Sequence, residues 1–135
     1  MKLNKLGKSP AFFITDVRKL IDKDLIKKIT KYSKKNNCDS RICLHEKPFK
    51  GSQYMVICKI KRKRETSFKH NKKKFFLIIS GKIEITYLKT KIILSNKKNL
   101  CFLLDKNIIS KTKSLTDSAV YLEVMTKNWW KKKLY

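Results

Sequence analysis

From Ser52 to Arg62 the chain alternates with a period of two: Tyr54, Val56, Cys58 and Ile60 share one face, and Lys59 and Lys61 share the other. That period predicts a strand. A continuous run rich in β-formers, Phe75–Ile79, predicts a strand buried on both faces. Ser80-Gly81 then supplies a turn, after which Ile83, Ile85 and Tyr87 alternate with Lys82, Glu84 and Thr86. Further strands are expected at Lys91–Leu94, Leu100–Leu104 and Ala119–Met125. Ahead of them the period is helical. Leu25, Ile26, Ile29 and Tyr32 form an apolar stripe, Asp22 or Asp24 caps its start, and Asn36-Asn37 stops it. Lys27, Lys28, Lys31, Lys34 and Lys35 cover the opposite face and suit the C-terminal end of the helix dipole.

The first ten residues read as a loose tail or an edge strand, so residues 1–20 are assigned to an N-terminal tail and 21–135 to a single domain. The strands recur about 8–15 residues apart with no helix between them, which points to an antiparallel sandwich or barrel rather than a parallel α/β sheet. The expected fold is mainly β: one antiparallel β-barrel of jelly-roll type with a short N-terminal helix. Neither an internal repeat nor a dividing linker is visible.

Composition changes the picture in one respect. The chain has 135 residues, 41% of them hydrophobic, so a packed core is within reach despite 35 Lys+Arg against 10 Asp+Glu and a formal charge of +25. A balance this basic suggests nucleic acid as a partner. Yet Arg18, Arg41, Arg62 and Arg64 are the only arginines, and the planar donor fork that suits phosphates and base edges is therefore scarce. Scarce Ala, Pro, Gly and Arg beside abundant Lys, Asn and Ile is the composition of AT-rich coding, and accounts for much of the lysine without a polyanion partner. Nucleic-acid binding stands as the alternative reading. It rests on Lys59-Ile60-Lys61-Arg62-Lys63-Arg64, with Lys72–Lys74 and the aromatics Phe68, Phe75 and Phe76 nearby.

Lys2, Lys5 and Lys8 precede the apolar stretch Ala11–Ile14, but Thr15–Arg18 ends it well short of a signal-peptide core, and nothing approaches the roughly 20 apolar residues of a membrane-spanning helix. Cys38, Cys43, Cys58 and Cys101 contain no C-x-x-C pair, and Cys58 and Cys101 sit in apolar runs. A reduced, cytoplasmic setting is the expectation.

Candidate chemistry centres on two histidines, His45 and His70. No Ser/His/Asp spacing and no Gly-rich phosphate loop is present. His70 stands in a suggestive frame: Phe68-Lys69-His70, then Lys74, then Gly81. That spacing resembles the first motif of the cupin superfamily, in which His-x-His on a strand projects two imidazoles to one side and a following Glu and a later His complete a divalent-metal site. His70 matches the second His and Gly81 the closing Gly, while Phe68, Lys74 and Arg62 replace the first His, the Glu and the opening Gly. In the second motif, Asp105–Ser110 aligns with Ser110 at the last His and Asn107 in a place that favours a left-handed residue.

Over roughly residues 20–128 the chain is similar to the WbuC-type cupin-fold proteins, through Arg41, Cys43-Leu44-His45, Gln53–Ile57 and the terminal Val120-Tyr121-Leu122-Glu123-Val124. The resemblance implies a bacterial protein linked to surface-polysaccharide (O-antigen) or sugar-nucleotide metabolism, and a small anionic ligand such as a nucleotide sugar or sugar acid. Its site would comprise His70 as an acid/base group, with His45, Arg41, Phe68, Lys74 and Ser110 around the ligand. No metal is expected, since of the family's ligand positions only His70 is kept; a divalent metal would require an altered site. The run Lys72–Lys74 also reads simply as solvated charge. A homodimer follows from the resemblance alone, and Trp129-Trp130 near the chain end would plug the barrel mouth, seal a dimer seam or touch an anionic surface.

Overall fold

The computed structural model describes residues 2–6, 9–14, 18–45 and 51–126. The Trp129-Trp130 expectation lies outside them. Among the described residues eleven strands and one helix follow in order: β1 (Lys2–Leu6), β2 (Ser9–Phe13), α1 (Lys23–Asn36), β3 (Ser40–Cys43), β4 (Gln53–Ile60), β5 (Phe68–Lys69), β6 (Lys73–Ser80), β7 (Lys82–Tyr87), β8 (Thr90–Ser95), β9 (Cys101–Leu104), β10 (Ile109–Ser114) and β11 (Ser118–Thr126). They form a seven-stranded sheet in the order β1-β2-β3-β4-β11-β6-β9 and a four-stranded sheet in the order β5-β10-β7-β8. The fold is mainly β with one short helix, as the periodicity predicts. The pairings are antiparallel except that β2 runs parallel to β3, which α1 makes possible by carrying the chain back between them.

Helix α1 starts where Asp22 accepts a hydrogen bond from the Leu25 amide at 2.8 Å. It ends at Asn37, whose left-handed backbone (φ 48°) returns hydrogen bonds to the last turn. Its apolar stripe covers part of one face of the seven-stranded sheet, where Ile29 packs with Ile42, Val56, Cys58 and Val120. Beneath it the Ser33 and Ser40 hydroxyls, both buried, bond to one another. The other face of the same sheet meets the four-stranded sheet. Phe76, Ile78, Leu104, Ala119 and Tyr121 from the first interlock with Ile83, Ile85 and Leu94 from the second.

Two faces buried against different partners explain where the pattern misleads. In β4 the alternation separates apolar from basic residues correctly, but Val56 and Cys58 lie under the helix while Met55, Ile57 and Lys59 belong to the space between the sheets. Lys59 is therefore buried rather than solvated. In β6, Phe76 and Ile78 are buried while Phe75, Leu77 and Ile79 are only half-buried, because the helix does not cover that part of the sheet fully. Strands β3, β5 and β10 have no period-two signature. Ile109–Ser114 in particular reads as polar, since it contributes serines and a threonine inward. Residues 2–6 and 9–13, assigned to the tail from sequence, pair with each other and join the sheet through β3; Ala11 and Phe13 are buried with Cys43, Met55 and Met125.

The β6–β7 turn requires glycine. Gly81 has φ +74°, and a Cβ there would meet the Ser118 carbonyl oxygen at 2.6 Å and Ala119 Cα at 2.9 Å. These two obstacles are backbone, and the Thr116 hydroxyl oxygen also lies at 2.6 Å. Gly81→Ala is therefore expected to lower unfolding free energy by about 2 kcal/mol or more in urea titrations, and Gly81→Asn, which tolerates the φ but not the contact, should be nearly as damaging.

Candidate functional site

Strands whose side chains alternate in and out leave inward positions at one end of the sandwich that are not filled by large apolar groups. There β3, β4, β6, β10 and β11 send Arg41, Lys59, Lys74, Ser110, Thr112, Tyr121 and Glu123 into one cavity of about 250 Å³, with Phe68 and His70 from β5 and its end closing one side. Phe68 is 57% exposed and its ring lies 6.2 Å from that of His70, tilted by 33°.

Charge in the cavity is paired internally. Lys74 Nζ lies 3.0 Å from Glu123 Oε1, and both side chains are buried. The same ammonium sits 5.9 Å over the Phe76 ring. At the other end Lys59 bridges Asp39 at 3.1 Å and Glu65 at 3.0 Å, while Arg62 reaches Asp39 at 3.3 Å. Asp39 also accepts from the Ile60 amide at 3.0 Å, which fixes its carboxylate. Burial lowers the pKa of His70 below its ordinary 6.5; Lys74 and, more weakly, Lys72 push the same way, and Glu123 opposes them. His70 is thus a neutral imidazole near pH 7, able to accept a proton. Burial raises the Tyr121 phenol well above its ordinary 10.0, with Glu123, Asp39 and Glu65 adding to the shift, so it remains a neutral donor.

Of the residues singled out from sequence, Arg41, Phe68, His70, Lys74 and Ser110 line this cavity. His45 does not. Its Nδ1 lies 3.1 Å from the Tyr54 amide nitrogen, which donates to it, and its ring meets Phe13 edge-on at 6.0 Å. Burial lowers its pKa as well, a hydrogen bond to the Tyr54 backbone opposes this, and Arg41 and Lys72 add to it. The solvated reading fails for Lys74, which is buried on Glu123, and Lys72 donates to the Gly51 carbonyl at 2.8 Å. The basic stretch from Lys59 to Arg64 is likewise partly neutralised, since Lys59 and Arg62 are held by carboxylates. Glu123, Tyr121, Asp39 and Thr112 are cavity residues that pattern reasoning missed. A signal for Glu123 exists: it is the one acid in the apolar run Ala119–Met125, at the same parity as Tyr121 and Met125.

A divalent metal does not fit these side chains. Among the described residues no group of three or more His, Cys, Asp or Glu is placed to hold one. Phe68 has no lone pair to offer, and the Lys74 ammonium beside His70 and Glu123 already supplies the positive charge that a metal would bring.

No family model matches the sequence, and no curated protein matches it. Solved structures do share its fold. The cupin domain of Schizosaccharomyces pombe Cnp3 superposes with a TM-score of 0.58 at 14% identity, over 71% of this chain and 66% of that one, just under two thirds of its length. A cupin superfamily protein from Desulfitobacterium hafniense gives 0.55 at 15% identity, over 68% of this chain and 80% of that one. The chain has the cupin fold. A conserved Streptococcus pyogenes protein of unknown function, SPY1581, shares it with a TM-score of 0.57 at 16% identity, over 66% of this chain and 74% of that one. Identities this low carry the cupin fold and nothing of a reaction. Among the described residues no helix is long and apolar enough to cross a membrane.

Removing one partner of the buried Lys74–Glu123 pair strands the other charge, whereas removing both does not. Lys74→Met alone is expected to cost about 3–5 kcal/mol in chemical denaturation, and Lys74→Met with Glu123→Met to recover most of it. Both histidines have folded pKa values below their unfolded 6.5, so the folded chain binds fewer protons than the unfolded one in the window between. Stability should be complete above 6.5 and fall as pH drops through the folded values; melting curves across that window should show a shallower slope in H45N/H70N.

Proposed function

We propose that the chain binds a small, single-ring anionic ligand of the sugar-acid class between its sheets, without a metal. The observation that carries this reading is the convergence of Arg41, Lys74, Ser110, Phe68 and His70, from four strands and their ends, on one cavity. Volume supports a single ring: about 250 Å³ lies below the roughly 300–1,000 Å³ typical of sites for drug-sized ligands, so the nucleotide part of a nucleotide sugar would have to remain outside. The chemistry of the lining supports a hydroxylated acid. Arg41, Lys59 and Lys74 are cationic groups of the lining, Ser110, Thr112 and Tyr121 offer hydroxyls, and Phe68 offers an apolar face for a ring. His70, neutral near pH 7, is the group to take a proton from a bound ligand if a reaction occurs. The WbuC-type subfamily, its link to surface-polysaccharide chemistry, a homodimer and a cytoplasmic setting belong to the same reading and rest on the sequence resemblance around Arg41–His45 and Val120–Val124.

Calorimetric titration with glucuronate and with glucose tests the proposal. Glucuronate should bind and glucose should bind at least about tenfold more weakly, with Arg41→Gln reducing glucuronate toward the glucose level. Equal binding of the two sugars, or no binding of glucuronate, would overturn it.

A further inference from the structure

A second concavity lies at the end of the four-stranded sheet, on the other side of β10 from the first, with Ser110 bordering both. Its volume is about 440 Å³, and Lys69, Lys111, Thr86, Leu88, Asn107 and Ile109 line it together with Ser67, Tyr87, Ile108 and Ser110. None of these is acidic. The contrast with the cavity between the sheets is direct: there each buried lysine has its own carboxylate, whereas here Lys69 and Lys111 face a groove without one.

The apolar part of the groove is held at an energetic disadvantage. Leu88 and Lys89 are the two central residues of the β7–β8 hairpin, bracketed by the Tyr87–Thr90 pair, and have φ 45° and 60°. A two-residue turn with both φ positive is the type I′ turn, which favours Asn-Gly and disfavours a bulky residue in the left-handed region. The turn's own preference does not explain leucine here. Core packing does not explain it either: Leu88 is 71% exposed, and Ile109, also in the groove, is 60% exposed. Across the groove Asn107 is left-handed too (φ 63°), and its amide donates to the His70 carbonyl at 2.7 Å, which ties that turn to the end of β5. A strained, exposed apolar side chain beside two lysines and a second exposed apolar residue is a candidate for a contact outside the chain.

We propose that this groove is a binding site for an amphipathic anion, a single acidic group on an apolar body, with Leu88 and Ile109 taking the apolar part and Lys69 and Lys111 the acid. The volume falls within the range of small-molecule sites. The lysines select charge, and Thr86, Ser67 and Asn107 supply hydrogen-bonding groups beside it.

Octanoate is the probe, with 1-octanol as its neutral counterpart, followed by NMR of labelled leucine and isoleucine methyl groups. Octanoate should shift the Leu88 and Ile109 signals saturably, and octanol should bind at least about fivefold more weakly. K69Q/K111Q should reduce octanoate to the octanol level. Leu88→Asn separates a binding role from a structural one, because the two move in opposite directions. It should raise the melting temperature by about 3 °C through relief of the turn while weakening octanoate at least about fivefold. Absence of saturable shifts, equal binding of octanoate and octanol, or a Leu88→Asn chain that melts lower or keeps full affinity would each overturn the assignment.

Discussion

A sheet in water has two faces to dispose of, and the seven-stranded sheet of this chain meets that constraint with two different partners. Helix α1 covers part of one face through Ile29, Ile42, Val56, Cys58 and Val120, and the four-stranded sheet covers the other through Phe76, Ile78, Ile83, Ile85 and Leu94. Everything else is arranged around that division. The helix is needed because β3 and β4 would otherwise expose apolar side chains; the turn at Gly81 is tight because it starts the strand that faces back across the core. Where the interlocking aliphatic side chains stop, polar residues at the same inward parity take their place, and the cavity results.

Those polar residues are affordable between two sheets because they arrive in pairs. Isolated, a buried ammonium or carboxylate carries a desolvation penalty of several kcal/mol. Lys74 with Glu123, and Lys59 with Asp39 and Glu65, share that penalty in short contacts. The consequence reaches the histidine as well. His70 lies among lysines in a desolvated site and is held neutral.

Much of the fold was legible in the residues. The helix from Asp22 to Asn37 was written in its caps and its stripe, and β4, β6, β7, β8, β9 and β11 in alternation or apolar runs. Strands β3 and β10 were not, for a specific reason: β3 is short, and β10 fills its inward positions with Ser110, Thr112 and Ser114, so hydrophobic period has nothing to register. The candidate site was legible in part through the spacing of Phe68, His70, Lys74 and Ser110, but His45 belongs to a backbone contact with Tyr54, and Glu123 and Tyr121 were hidden in what reads as an ordinary core strand.

By itself the sequence determined the helix with its two ends and the strands that carry an alternation or an apolar run, because those are local matters of side-chain period, caps and turns. Tertiary structure alone decided which lysines are buried. Lys59, Lys74 and Lys113 all look alike in a chain of charge +25, yet the first two are bound to carboxylates between the sheets, and pairing partners that include the distant Asp39 and Glu123 distinguish them. Local pattern carries no record of a counterion that another strand delivers.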